Sequence, residues 1–234
     1  MGGLTEGMES GAIRENNSHH SSKVRRRTFL KYTALGAAGI ALVTSGCKKD
    51  TLKEGVYLGL GDVGILNYFY ALEQLQAAFY TQVTQSFYTG ATTTEKALLT
   101  DIRDHEVAHR EFFKNALGEV GIPDLEINFS AIDFASRASV LESARTFEDL
   151  GVSAHNGAGA LIKDGDYLDL VGKIVSVEAR HAALIRNLIS PGSFAGDDIV
   201  DVNGLDKARS PDEVLAIASA YIKTTINPED LPTI

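Results

Sequence analysis

Val171-Gly172-Lys173-Ile174-Val175-Ser176-Val177-Glu178-Ala179-Arg180-His181-Ala182-Ala183-Leu184-Ile185 is the stretch that decides how the chain reads. Val171, Ile174, Ile185 and, one turn on, Leu188 recur at intervals that fit a helix face and not a strand, and Glu178 and His181 fall on that same face. A carboxylate in the middle of an apolar stripe is costly to bury unless something pairs with it.

Three further stretches carry the same signature. One reads Leu66, Phe69, Glu73, Gln76, Tyr80, Val83, Phe87, and the next reads Leu99, Ile102, Glu106, His109, Phe113, Ala116. The third reads Leu141, Ala144, Glu148, Gly151, His155, Ala158, Ile162. Periodicity and breakers predict helices from about Asp62 to Tyr88, from an N-cap at Thr94 followed by Glu95 to near Gly118, and from roughly Ala138 to Asp164-Gly165. A fourth runs from near Tyr167 to Pro191-Gly192, and Ser210-Pro211-Asp212-Glu213 opens a short fifth helix to about Lys223. The connections are short, long and short, the long one running from Glu119 to roughly Ala138. That order predicts an all-α four-helix bundle with one long crossover. The chain thus divides into an N-terminal segment (1–46), a tether (47–61), the bundle (62–190) and a C-terminal loop with its short helix (191–234).

Composition narrows the chemistry. The 234 residues are 44% hydrophobic and 23% charged with no long apolar run, as in a soluble globular chain. A single Cys excludes a disulfide framework and any multi-cysteine metal site, which leaves metal chemistry to carboxylate and imidazole. Residues 1–46 hold six Lys/Arg against three Asp/Glu, so residues 47–234 carry −12 of a total of −9. Such a body is unsuited to nucleic acid or anionic membranes and suited to cations or neutral molecules.

Each of the four stripes has one glutamate near its middle, and none contains Lys or Arg. Four carboxylates converging in a core would add mutual repulsion to a desolvation cost of several kcal/mol each. Two divalent metal ions would neutralise them. Glu106-x-x-His109 and Glu178-x-x-His181 each add an imidazole one turn from a carboxylate, a donor set accepted by iron or manganese and also by zinc.

On these residues, above all Ser176-Val177-Glu178-Ala179-Arg180-His181-Ala182-Ala183 and Leu72-Glu73-Gln74-Leu75-Gln76-Ala77-Ala78-Phe79-Tyr80, the sequence resembles the ferritin-like di-metal carboxylate family. Within it, the bacterial group that includes desiccation-related proteins is the most similar. The resemblance spans about Asp62 to Ser190 and the short terminal helix. It implies Glu73 and Glu148 as terminal carboxylates, Glu106 and Glu178 as bridging carboxylates, and His109 and His181 as nitrogen ligands. Gln76, Tyr80 and His155 are candidates for supporting that shell, each with an ordinary packing or hydrogen-bonding role as the alternative.

A second motif overlaps the site: His105-Glu106-Val107-Ala108-His109 fits H-E-x-x-H, the zinc-protease pattern. That reading leaves Glu73, Glu148 and Glu178 buried without purpose.

The N-terminus reads as an address. Met1 to Ser22 lacks large apolar residues and is expected to be disordered. Arg25-Arg26-Arg27-Thr28-Phe29-Leu30-Lys31 followed by an uncharged run to Gly46 resembles a twin-arginine export signal. Val43-Thr44-Ser45-Gly46-Cys47 resembles a lipobox, with Cys47 as the lipidated residue; the alternative is a cleaved signal with an incidental Cys. Both place the mature protein outside the cytoplasm; the lipobox reading makes it a periplasmic or cell-surface lipoprotein that touches the membrane through its N-terminal lipid alone. The expected function is a reaction with peroxide or oxygen in stress protection. A non-catalytic stress protein braced by metal is the second reading, and storage in a cage-like homo-oligomer a weaker third.

Overall fold

The computed structural model describes residues 54–233. The arginine-rich segment and Cys47 lie outside them. The described chain is all-α apart from one pair of two-residue strands. It comprises β1 (Val56–Tyr57), α1 (Gly61–Gln85), α2 (Thr93–Leu117), α3 (Arg137–Gly159), α4 (Gly165–Ile189), α5 (Pro211–Ala218) and β2 (Ile226–Asn227). β1 and β2 pair in parallel, Val56 opposite Ile226, and so tie the start of the bundle to residues near the chain end. Among the described residues no helix is long and apolar enough to cross a membrane.

Helix α1 packs on α2 and α3 packs on α4, with α1 also against α3. The crossover is laid along α1 by buried polar side chains that the α1 stripe does not use. Asn67 accepts from Ile122 N at 2.9 Å and donates to the Val120 carbonyl at 2.9 Å. Gln74 accepts from Leu125 N at 2.7 Å, and Thr89 N, past the far end of α1, reaches the Ala135 carbonyl at 3.1 Å. These bonds peg the crossover to α1 and to the turn after it at points from Val120 to Ala135. It also contributes Phe129 and Phe134, which pack with Phe79 around Phe147.

The helix ends differ from the sequence reading where local hydrogen bonding competes. The cap of α2 is Thr92, not Thr94: its hydroxyl accepts from Glu95 N at 3.1 Å while the Glu95 carboxylate takes Thr92 N at 2.9 Å. That reciprocal pair needs the glutamate three residues after the cap. Helix α1 stops at Gln85 and lets Tyr88 turn into the core. Helix α3 stops at Gly159, well short of Asp164. Leu161 N and Ile162 N close tighter turns onto the Ala158 and Gly159 carbonyls, and the Asp62 carboxylate captures Lys163 N and Asp164 N at 3.0 and 2.8 Å. Asp164 then caps α4. Near this end Arg209 crosses α3 so closely that a Cβ on Gly157 would stand 1.8 Å from its carbonyl oxygen. Helix α5 ends at Ala218, before Lys223, because Tyr221 and Lys223 pair instead with Asn128 and Glu126 of the crossover.

Candidate metal centre

All four stripes face inward. Glu73, Glu106, Glu148 and Glu178, one from each of α1 to α4, are fully buried, and His109 and His181 point at them from α2 and α4. Donor atoms of Glu73, Glu106, His109 and Glu178 lie within 4.8 Å of one another, and so do those of Glu106, Glu148, Glu178 and His181. The two groups share Glu106 and Glu178. Helical spacing of three puts a carboxylate and an imidazole of one helix on the same face one turn apart, and antiparallel packing sets the second Glu-x-x-His opposite the first.

The donor atoms are left without ordinary partners. Both oxygens of Glu73 and of Glu106, Oε2 of Glu148, Oε1 of Glu178 and Nδ1 of each histidine are buried and make no hydrogen bond. His181 Nδ1 is 2.8 Å from Glu106 Oε1, and His109 Nδ1 is 3.1 Å from Glu178 Oε1. Both distances are within ion-pair reach, yet neither pair is aligned as a hydrogen bond. Atoms about 3 Å apart that do not point at each other are what two ligands of one cation look like, given metal–ligand distances of about 2.0–2.2 Å. The donor set thus fits divalent metal.

Electrostatics agree. Burial, then the Glu178 charge, pushes Glu106 well above the usual carboxylate range and Glu73 up to about 7. Burial raises Glu148 as well. Burial would also raise Glu178, but the facing His109 imidazole, 3.1 Å away, holds it down. Burial lowers the two imidazoles, and the facing carboxylates overcome it: Glu178 and Glu73 lift His109, and Glu106 and Glu148 lift His181, each to about 11. With protons as the only counter-charge, the cluster therefore retains several of them at neutral pH.

The supporting candidates divide. Tyr80 donates to Glu148 Oε1 at 2.5 Å and Gln76 donates to Glu178 Oε2 at 3.0 Å, so each of these glutamates keeps a single free oxygen. His155 does not touch the four glutamates by hydrogen bond. Its Nδ1 pairs with the Gly151 carbonyl at 2.9 Å and its ring stacks on Phe69, while its buried Nε2 has no hydrogen-bond partner. His105, the first histidine of the H-E-x-x-H match, belongs to neither donor group; its Nδ1 meets Nε2 of His181 at 2.9 Å. The zinc-protease geometry, with His105 and His109 on one ion, is not formed.

A ferritin-like domain matches residues 61–191 as a family model. The chain belongs to the ferritin-like family. No curated protein matches it. The ferritin-like bundle accounts for the pairing of two Glu-x-x-His helices, and it throws into relief what α3 does differently: one turn after Glu148 stands Gly151. A Cβ there would lie 2.8 Å from Glu178 Oε2 and 3.3 Å from the Gln76 amide. Helix propensity alone would make Gly151→Ala stabilising by roughly 0.5–1 kcal/mol. Because the methyl would instead push Glu178 away, we expect metal affinity to fall by about tenfold or more, measured by competition with a chelator.

Proposed function

We propose that this ferritin-like bundle is an exported di-metal protein that reacts with peroxide or oxygen in stress protection. The observation that carries the reading is the set of buried, hydrogen-bond-free donor atoms on four helices, arranged as two four-residue groups with two glutamates in common. Glu73 and His109 would hold one ion and Glu148 and His181 the other, with Glu106 and Glu178 bridging. Two iron or manganese ions held by these residues would supply two-electron redox chemistry suited to peroxide or oxygen.

The protein's own groups set the conditions. Tyr80 and Gln76 each occupy one carboxylate oxygen, so Glu148 and Glu178 present one oxygen inward, whereas Glu73 and Glu106 present two. The side chains of His109 and His181 are 13% and 6% exposed while the four glutamates are at 0%, which favours a way in from solvent between α2 and α4. Export and lipidation at Cys47 belong to the same proposal and are supported by the sequence of residues 25–47.

One observation favours a second reading: each of the four helices contributes a glutamate, so ions at this level would pin the bundle together as a structural brace. Oxygen evolution and peroxide loss by iron- and manganese-loaded protein separate the two. Turnover is expected. If loading raises the unfolding temperature but neither metal turns over peroxide, the brace replaces the catalyst.

A further inference from the structure

His105 is the one histidine of the H-E-x-x-H segment that the two donor groups leave out. Consecutive residues of a helix point about 100° apart, so His105 cannot share the inner face with Glu106. It lies on the flank of α2, exposed to solvent. There it meets α4: its Nδ1 is 2.9 Å from Nε2 of His181, and the two rings lie edge to edge, with centroids 5.2 Å apart and planes 10° from parallel.

His181 is thereby gripped at both nitrogens. Nδ1 faces inward, 2.8 Å from Glu106 Oε1 and 3.6 Å from Glu148 Oε2, and Nε2 faces His105. An imidazole that gives its Nδ1 lone pair to a cation keeps its proton on Nε2, and that proton needs an acceptor. The Nδ1 lone pair of His105 is such an acceptor, which leaves the His105 Nε2–H to water. Among the described residues His109 has no such support: its polar partners, Glu73 and Glu178, both lie at Nδ1. The two donor groups are therefore held unequally, one with its imidazole fixed by a neighbour and one without.

We propose that His105 is a positioning residue for one of the two metal positions, the one formed by Glu106, Glu148, Glu178 and His181. By accepting the His181 Nε2–H it fixes the tautomer and the ring orientation that present Nδ1 inward. This deepens the two-ion reading and rests on it.

Manganese(II) titrated into the metal-free protein, in competition with a chelator, tests the inference in three forms: wild type, His105→Leu and His105→Asn. The wild type is expected to bind two ions. His105→Leu removes the acceptor and should keep one ion at unchanged affinity while weakening the other by about 10- to 100-fold. His105→Asn places a carbonyl oxygen close to where Nδ1 stood and should restore most of that loss. Two ions of wild-type affinity in His105→Leu would overturn the role of His105 while leaving the di-metal reading intact. Equal weakening in both variants, with a lower unfolding temperature of the metal-free protein, would show a merely structural contact and overturn it too. A wild type that binds no manganese would overturn both readings at once.

Discussion

Replacing Glu106 and Glu178 together by Ala should take the protein from about two divalent ions per chain to none, read by elemental analysis after loading with iron or manganese. The size of the effect follows from the shared geometry. Both donor groups contain Glu106 and Glu178, so the double variant leaves each ion one carboxylate and one imidazole: Glu73 with His109, Glu148 with His181. Two protein donors do not hold a divalent ion against water. The same variant should still fold, because the residues removed are not ones whose burial drives folding. Glu106, held far above its ordinary range first by burial, works against the metal-free fold whenever it ionises. Cavities left by two truncated side chains oppose that relief, so the metal-free unfolding temperature is expected to move little compared with the shift that metal loading gives the wild type. A folded double variant that keeps its ions would sink the site as described. So would a wild type that takes up none.

The bundle and the six inward donors were legible because they depend on spacing. Three- and four-residue intervals put Glu73, Glu106, Glu148 and Glu178 on apolar faces, and all four are fully buried. What could not be read depends on rotation about a helix and on partners distant in sequence. His105 and His109 look equivalent as letters, but only His109 shares the inner face with Glu106, and the partner of His105 stands 76 residues away. Gln76 and Tyr80 were visible as candidates, whereas their acceptors, Glu178 and Glu148, required the helix pairing first. Gly151 read as a small residue of the stripe; that its missing Cβ makes room for Glu178 and Gln76 is a fact of close approach between helices. How the crossover is held was not visible because Asn67 and Gln74, which peg it down, lie outside the stripe. Helix ends shifted by a few residues at Thr92 and Gly159, where side-chain and turn hydrogen bonds outbid continued helix.

Protons and metal ions compete for the same atoms, which makes metal binding steeply dependent on pH. His109 and His181 are lifted to about 11, Glu106 lies well above the usual carboxylate range and Glu73 titrates at about 7. At pH 7 the metal-free cluster accordingly carries on each of the two imidazoles a proton that must leave for metal to bind, and part of another on Glu73. The sign is fixed by which state holds more protons. The metal-free state holds them and the loaded state does not, so affinity rises with pH and falls as acid is added. With at least two protons released, the overall binding constant for two ions should drop by roughly a hundredfold or more for each unit below pH 7. Calorimetry in buffers of different ionisation enthalpy counts the released protons directly, and chelator competition at pH 6, 7 and 8 gives the slope. A release of fewer than about one proton per chain would mean that the glutamates and imidazoles do not neutralise one another in the metal-free core. Lowering the pH should then empty the site only once ordinary carboxylates protonate. Removing metal by acid is also the milder route to the metal-free protein, because the incoming protons supply the positive charge that the four buried glutamates require.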